Sequence, residues 1–113
     1  MIVEERDRAY LRRMAEYCER IESAKRRFGE TLDDYLKDAD YRDVICMNIF
    51  QIGELANQVS DETRERLSDI PWAQMYAIRN ILAHAYIKVD DKIVWDTVLN
   101  DIPALYSRLK EIV

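Results

Sequence analysis

The chain has 113 residues, room for one domain and too little for two. Two Gly and two Pro are too little turn chemistry for a β-sandwich or barrel, and 49% apolar with 35% charged residues excludes disorder and collagen-like character. A net charge of −5 excludes a generic nucleic-acid coat, so any contact with nucleic acid must be local.

Met1-Ile2-Val3 passes straight into Glu4-Glu5-Arg6-Asp7 without a signal-type apolar stretch. Since no apolar run approaches the roughly 18 to 20 residues that span a bilayer, the expectation is a soluble, cytoplasmic protein without membrane contact. Tyr10, Met14, Tyr17, Ile21, Ala24 and Phe28 alternate spacings of four and three, which predicts a long first helix over about residues 3–28. The basic runs Arg12-Arg13 and Lys25-Arg26-Arg27 on it read as a solvated face. Gly29 stands where a left-handed cap would stop the helix, and Thr31 opens a short helix or turn reaching Lys37.

Asp40 or its neighbour caps a central helix over about residues 41–60, with Ile45, Ile49, Ile52, Ala56 and Val59 as its apolar stripe. Asn48, Gln51, Glu54 and Gln58 form a polar strip opposite. Gly53 sits mid-helix at a cost of about 1 kcal/mol relative to Ala, which predicts that another backbone passes close by. Residues 60–70 read as a polar loop with one helical turn. A further helix starts near Pro71, burying Met75, Ile78, Leu82 and Ala85 and leaving Arg79, Asn80, Ala83 and His84 on its other side. The β-branched stretch Ile87-Lys88-Val89-Asp90 weakens the pattern. A last helix from about Asp91 to Ile112 turns Val94, Val98, Ile102, Leu105, Leu109 and Ile112 inward, and Pro103 must kink or restart it. The fold class is therefore all-α: one domain over residues 1–113, an antiparallel bundle of four to five helices.

Cys18 and Cys46 lie beside apolar neighbours outside any metal spacing and are expected to be buried and reduced. The acidic residues fit no EF-hand, one histidine makes no zinc site, and two glycines build no phosphate loop. No metal and no cofactor is implied.

Arg79-Asn80-Ile81-Leu82-Ala83-His84-Ala85-Tyr86 is the dense constellation. Asn80 and His84, four apart, share a helix face roughly 5 to 6 Å apart at Cβ. Arg79 is about 140° around the axis from His84, so only a long side chain converges on the imidazole. Tyr86 joins the set only if the helix ends near His84 and the chain turns. An imidazole that moves protons near neutral pH and a guanidinium that stabilises a pentacoordinate phosphate suit phosphodiester cleavage in RNA, whose 2′-hydroxyl is a built-in nucleophile. Asn80 could orient the imidazole or donate to a phosphate oxygen. The competing structural reading is a histidine near a helix C-terminus and an arginine paired with an acid. One imidazole is few for a reaction needing base and acid, a shortage that a symmetric dimer relieves.

Ile70-Pro71-Trp72 followed by Arg79-Asn80, Leu82, His84 and Tyr86 closely resembles the HepT group of the HEPN superfamily. Ile52-Gly53-Glu54, Val89-Asp90, Trp95 and Ile102-Pro103-Ala104-Leu105 fit the same pattern, so the likeness spans nearly the whole chain. It implies an HEPN-like homodimer in which two R-x4-H segments share a composite cleft. It also implies a metal-independent endoribonuclease toxin acting on tRNA or mRNA and leaving a 2′,3′-cyclic phosphate. The implied partner is a minimal nucleotidyltransferase antitoxin of the MntA type, which transfers AMP to the motif tyrosine. Carried onto this chain, Arg79 and His84 would be catalytic, Asn80 would assist and Tyr86 would accept AMP. A non-catalytic adaptor that binds the nucleotidyltransferase is the alternative within the family.

Overall fold

A computed structural model describes residues 3–113; Met1-Ile2 lies outside the described residues. Helix α1 (Glu5–Phe28) carries Glu5 and Asp7 in its first turn and Lys25, Arg26 and Arg27 in its last, both favourable to the helix dipole. Its buried face is Leu11, Met14, Cys18, Ile21 and Ala24. The aromatics expected to lead that face, Tyr10, Tyr17 and Phe28, pack half-buried along its edge, because period alone does not say which of two adjacent stripes is innermost. Lys25, expected in solvent, is buried with its ammonium 3.2 Å from Glu22 Oε2. Both cysteines are buried and free, and burial pushes the Cys18 thiol up to about 12.

The helix stops at Gly29, whose φ of 121° and ψ of 152° form an extended, positive-φ conformation open essentially to glycine alone. It is not the left-handed cap expected there. A capping box opens α2 (Leu32–Leu36): Asp34 N–H donates to Thr31 Oγ1 and Thr31 N–H donates to Asp34 Oδ2. Two residues before the expected Asp40, Asp38 caps α3 (Ala39–Gln58) by accepting from the N–H groups of Asp40 and Tyr41 at 3.0 and 3.2 Å. The expected stripe from Ile45 to Val59 is buried. Asn48, assigned to the polar strip, is buried too; its amide donates to the Val44 carbonyl at 2.6 Å, which satisfies it within its own helix.

Residues 60–70 are better ordered than a loop, holding α4 (Asp61–Arg66). The cause is Asp7, 2% exposed, whose carboxylate accepts from Ser60 N–H at 3.1 Å, Ser60 Oγ at 2.6 Å and Thr63 Oγ1 at 2.5 Å. Burial by itself would raise the Asp7 carboxyl, but the hydrogen bonds from Ser60 and Thr63 outweigh it and hold the pKa below its ordinary 3.8. A depressed folded-state pKa contributes stability above the unfolded value, and that contribution is lost as pH falls through the lower folded value. Asp7→Asn is therefore expected to cost about 2 kcal/mol at neutral pH and to flatten the acid limb of a urea-denaturation series run between pH 7 and pH 2. An unchanged acid limb would show that this carboxylate contributes nothing.

The remaining elements are α5 (Trp72–Ala85), a 3₁₀ turn (Tyr86–Lys88), α6 (Asp91–Asp96), a π-helical turn (Thr97–Asp101) and α7 (Ile102–Ile112). Pro103 sits in the first turn of α7, so the helix restarts through the π turn. Paired contacts give the direction of each helix. Arg8 reaches the Ile112 carbonyl and Glu19 meets Tyr106, so α1 and α7 run antiparallel. Tyr41 meets Gly29 while Asp7 meets Ser60, so α1 and α3 do too. α3 lies between α1 and α5, and an aromatic cluster of Phe28, Tyr35, Tyr41 and Trp95 fills one end of the bundle.

Candidate functional site

The site is built where α5 crosses closest to α3. The crossing depends on Gly53, as predicted: a Cβ there would stand 2.4 Å from Arg79 Cβ and 3.0 Å from the Met75 carbonyl oxygen. Met75, Ile78 and Leu82 fix the buried face of α5. Trp72 anchors its start by donating its indole N–H to the Leu67 carbonyl at 3.0 Å. Arg79 then emerges beside the seam, half-buried, with Nε donating to Glu54 Oε1 and Cζ 5.3 Å from the Phe50 ring centroid. Its Nη1 donates to Asn80 Oδ1 at 3.2 Å, while Nη2 makes no hydrogen bond among the described residues. The guanidinium is thus braced on two edges, with donor capacity left over for an anion.

Asn80, expected either to orient His84 or to donate to phosphate, has its oxygen on Arg79 and its amide N–H groups uncommitted among the described residues. His84 is exposed and makes no hydrogen bond or ion pair among the described residues. Arg79 and Asn80 are therefore brought into contact, and His84 stands one turn further along the same helix without touching either.

The helix ends near His84, as Tyr86 needed in order to join the set, but Tyr86 makes no hydrogen bond or ring contact to Arg79, Asn80 or His84 among the described residues. The helix breaks at Ala85, with φ −145° and ψ 38°, and the following 3₁₀ turn lays the tyrosine back on α3. Its hydroxyl donates to Asp43 Oδ1, and Arg42 Cζ lies 4.7 Å from its ring centroid. Arg42 also donates to the Tyr86 carbonyl and to Asp91 Oδ1, each at 3.0 Å, tying the turn to the start of α6. Burial, followed by the hydrogen bond to Asp43, pushes the Tyr86 hydroxyl up to about 12, so the phenol keeps its proton at neutral pH. Between α3 and α5 lies an open trough of about 450 Å³ lined by Asp43, Met47, Phe50, Leu82, Ala83 and Tyr86.

Sequence reasoning assigned no role to Asp43, Arg42 or Phe50 and placed Glu54 on a polar strip. A signal existed for Glu54 alone: it adjoins the glycine whose spacing predicted a close approach. Among the described residues no group of three His, Cys, Asp or Glu could hold a metal ion, and no helix is long and apolar enough to cross a membrane.

Comparison with known proteins gives a consistent picture. The family model described as ribonuclease HepT-like matches residues 14–112. A candidate RNase of Caldanaerobacter subterraneus subsp. tengcongensis is 34% identical over 106 residues, covering 93% of this chain and 92% of its own length. A protein of Thermococcus cleftensis named "Probable ribonuclease HepT" is 31% identical over 103 residues, covering 91% of this chain and 92% of its own. A candidate RNase of Methanocaldococcus jannaschii is 30% identical over 86 residues, covering 68% and 79%. No solved structure matches the chain.

Proposed function

The chain belongs to the ribonuclease HepT-like family, and from that premise we propose that it is a metal-independent endoribonuclease toxin. In this reading an RNA 2′-hydroxyl oxygen attacks the adjacent phosphorus, the bond to the 5′ oxygen breaks, and a 2′,3′-cyclic phosphate and a 5′-hydroxyl result. His84 moves protons between the attacking and leaving oxygens. Arg79 binds the charge that gathers on the phosphoryl oxygens through its unbonded Nη2, and Asn80 holds the guanidinium while offering its amide N–H groups to the same anion. The observation that carries the reading is this pairing: a guanidinium braced by Glu54 and Asn80, and an exposed, unbonded imidazole on the same helix.

One chain offers one imidazole, whereas the reaction needs a base and an acid. A homodimer bringing two copies of α5 to one cleft supplies both. Exposed Tyr76, Ile81, Ile87 and Ile93 are consistent with such a covered face. The test is incubation of the purified protein with tRNA and mRNA in excess chelator. Cleavage is expected to persist, and to fall by orders of magnitude with His84→Ala; loss on chelation would refute the mechanism.

The proposed antitoxin is a minimal nucleotidyltransferase of the MntA type that transfers AMP to Tyr86. The phenol oxygen would attack the α-phosphorus of ATP with loss of pyrophosphate, and Asp43 already accepts the hydrogen that must leave. A bulky anion on that oxygen would fill the RNA path and repel phosphate. Mass spectrometry after co-expression is expected to find AMP on Tyr86 and none on a Tyr86→Phe protein; modification persisting on that variant would place the acceptor elsewhere.

A further inference from the structure

The trough between α3 and α5 has a construction that phosphate binding does not explain. Two aromatic rings, Phe50 and Tyr86, line it, and each carries a guanidinium against it: Arg79 on Phe50 and Arg42 on Tyr86. Its walls between the rings are apolar, with Leu82 buried beneath and Met47 exposed beside them. Asp43 is the charged residue of the lining. Its Oδ1 takes the Tyr86 hydroxyl, and its Oδ2 accepts nothing among the described residues. A carboxylate inside the trough disfavours a phosphate held there without a covalent bond, so an RNA segment brings a neutral, flat portion inside and leaves its charge to the arginines. The volume, about 450 Å³, falls in the roughly 300 to 1,000 Å³ range of small-ligand sites.

We infer that this trough seats one unpaired RNA nucleobase bearing an exocyclic amino group. The inference rests on the reading of the chain as a protein that acts on RNA and adds which part of the RNA it selects. Aromatic faces and a thioether hold any base by stacking, whereas the acceptor at Asp43 Oδ2 discriminates among bases. Adenine, cytosine and guanine each present an amino N–H donor, while the one donor of uracil, N3–H, stands between two carbonyl oxygens that a carboxylate repels. A base in a duplex is stacked and paired, so only a splayed-out, single-stranded nucleotide can enter. Its own phosphate then falls toward Arg79 at one end, where Nη2 is uncommitted, which puts the base next to the bond to be cut.

The experiment measures binding rather than cutting, so that it does not share its fate with the cleavage reading. Labelled 2′-O-methyl tetranucleotides of A, C and U, which lack the nucleophile, are titrated into the full chain and followed by fluorescence anisotropy. The A and C tetramers are expected to bind at least tenfold tighter than U. Asp43→Asn replaces an acceptor with a group that also donates, and should move the preference toward U by at least tenfold. Ala83→Phe, at an exposed position on the trough wall, should weaken A and C binding at least tenfold by filling the space, without touching Asp43. Equal affinity for all three tetramers, or affinities indifferent to both variants, overturns the inference. If the base preference holds but no RNA is cut, the cleavage reading fails and the trough stands; if cutting depends on His84 but both variants bind as the parent does, the reverse follows.

Discussion

His84→Ala is expected to lower RNA cleavage by roughly 10²- to 10⁴-fold, the span associated with removing a positioned proton carrier, while changing stability by no more than about 0.5 kcal/mol. The asymmetry follows from the surroundings of the imidazole: it is exposed and forms no hydrogen bond or ion pair among the described residues, so the fold loses nothing when it goes. Arg79→Ala should behave differently. It removes the proposed phosphate clamp, with an expected loss of roughly 10²- to 10³-fold by analogy with an oxyanion-hole donor. It also strips Glu54 of its partner and Phe50 of its cover, which costs a further ~1 kcal/mol of stability. Initial cleavage rates set beside urea midpoints separate the two. Full cutting by the His84→Ala protein would remove the imidazole from the mechanism altogether.

The difference between these residues also explains what the sequence could and could not announce. Hydrophobic period and capping chemistry are local, so the helices, the opening of a short element at Thr31, the interruption at Pro103 and the weakened pattern over residues 87–90 were readable one element at a time. The Asp7 clasp on Ser60 and Thr63, the Glu54 brace and the Asp43 acceptor join residues 53, 25 and 43 positions apart. Nothing in the spacing of a single helix marks such partners. Lys25 and Asn48 went astray for a related reason: polarity predicts exposure only when no partner lies within reach, and Glu22 and the Val44 carbonyl each lie one turn away. Gly53 was the exception. A glycine that costs helix stability in the middle of an apolar stripe points to a long-range contact without naming it, and Arg79 proved to be on the other side.

That contact makes Gly53→Ala the sharpest probe of how the fold serves the site. In isolation the substitution favours a helix by about 1 kcal/mol. Here the new Cβ would stand 2.4 Å from Arg79 Cβ and 3.0 Å from a backbone carbonyl, neither of which is the movable tip of a side chain. α5 must shift as a body, and overpacking of this kind costs about 1 to 3 kcal/mol, so the net expectation is a loss of up to ~2 kcal/mol and a melting temperature lower by up to roughly 15 °C. Because the residue pushed aside is Arg79 itself, cleavage should fall by about 10²-fold even in the fraction that stays folded, as expected for a displacement of ~1 Å at a positioning group. Gly29→Ala supplies the comparison. Its positive φ and the clash with Asp34 also strain the fold, but at the far end of α1, away from Arg79, so its folded molecules should cut at the parent rate. If Gly53→Ala and Gly29→Ala lose activity only in proportion to their unfolded fractions, the close approach of α5 to α3 is a packing device and has no part in holding the guanidinium in place.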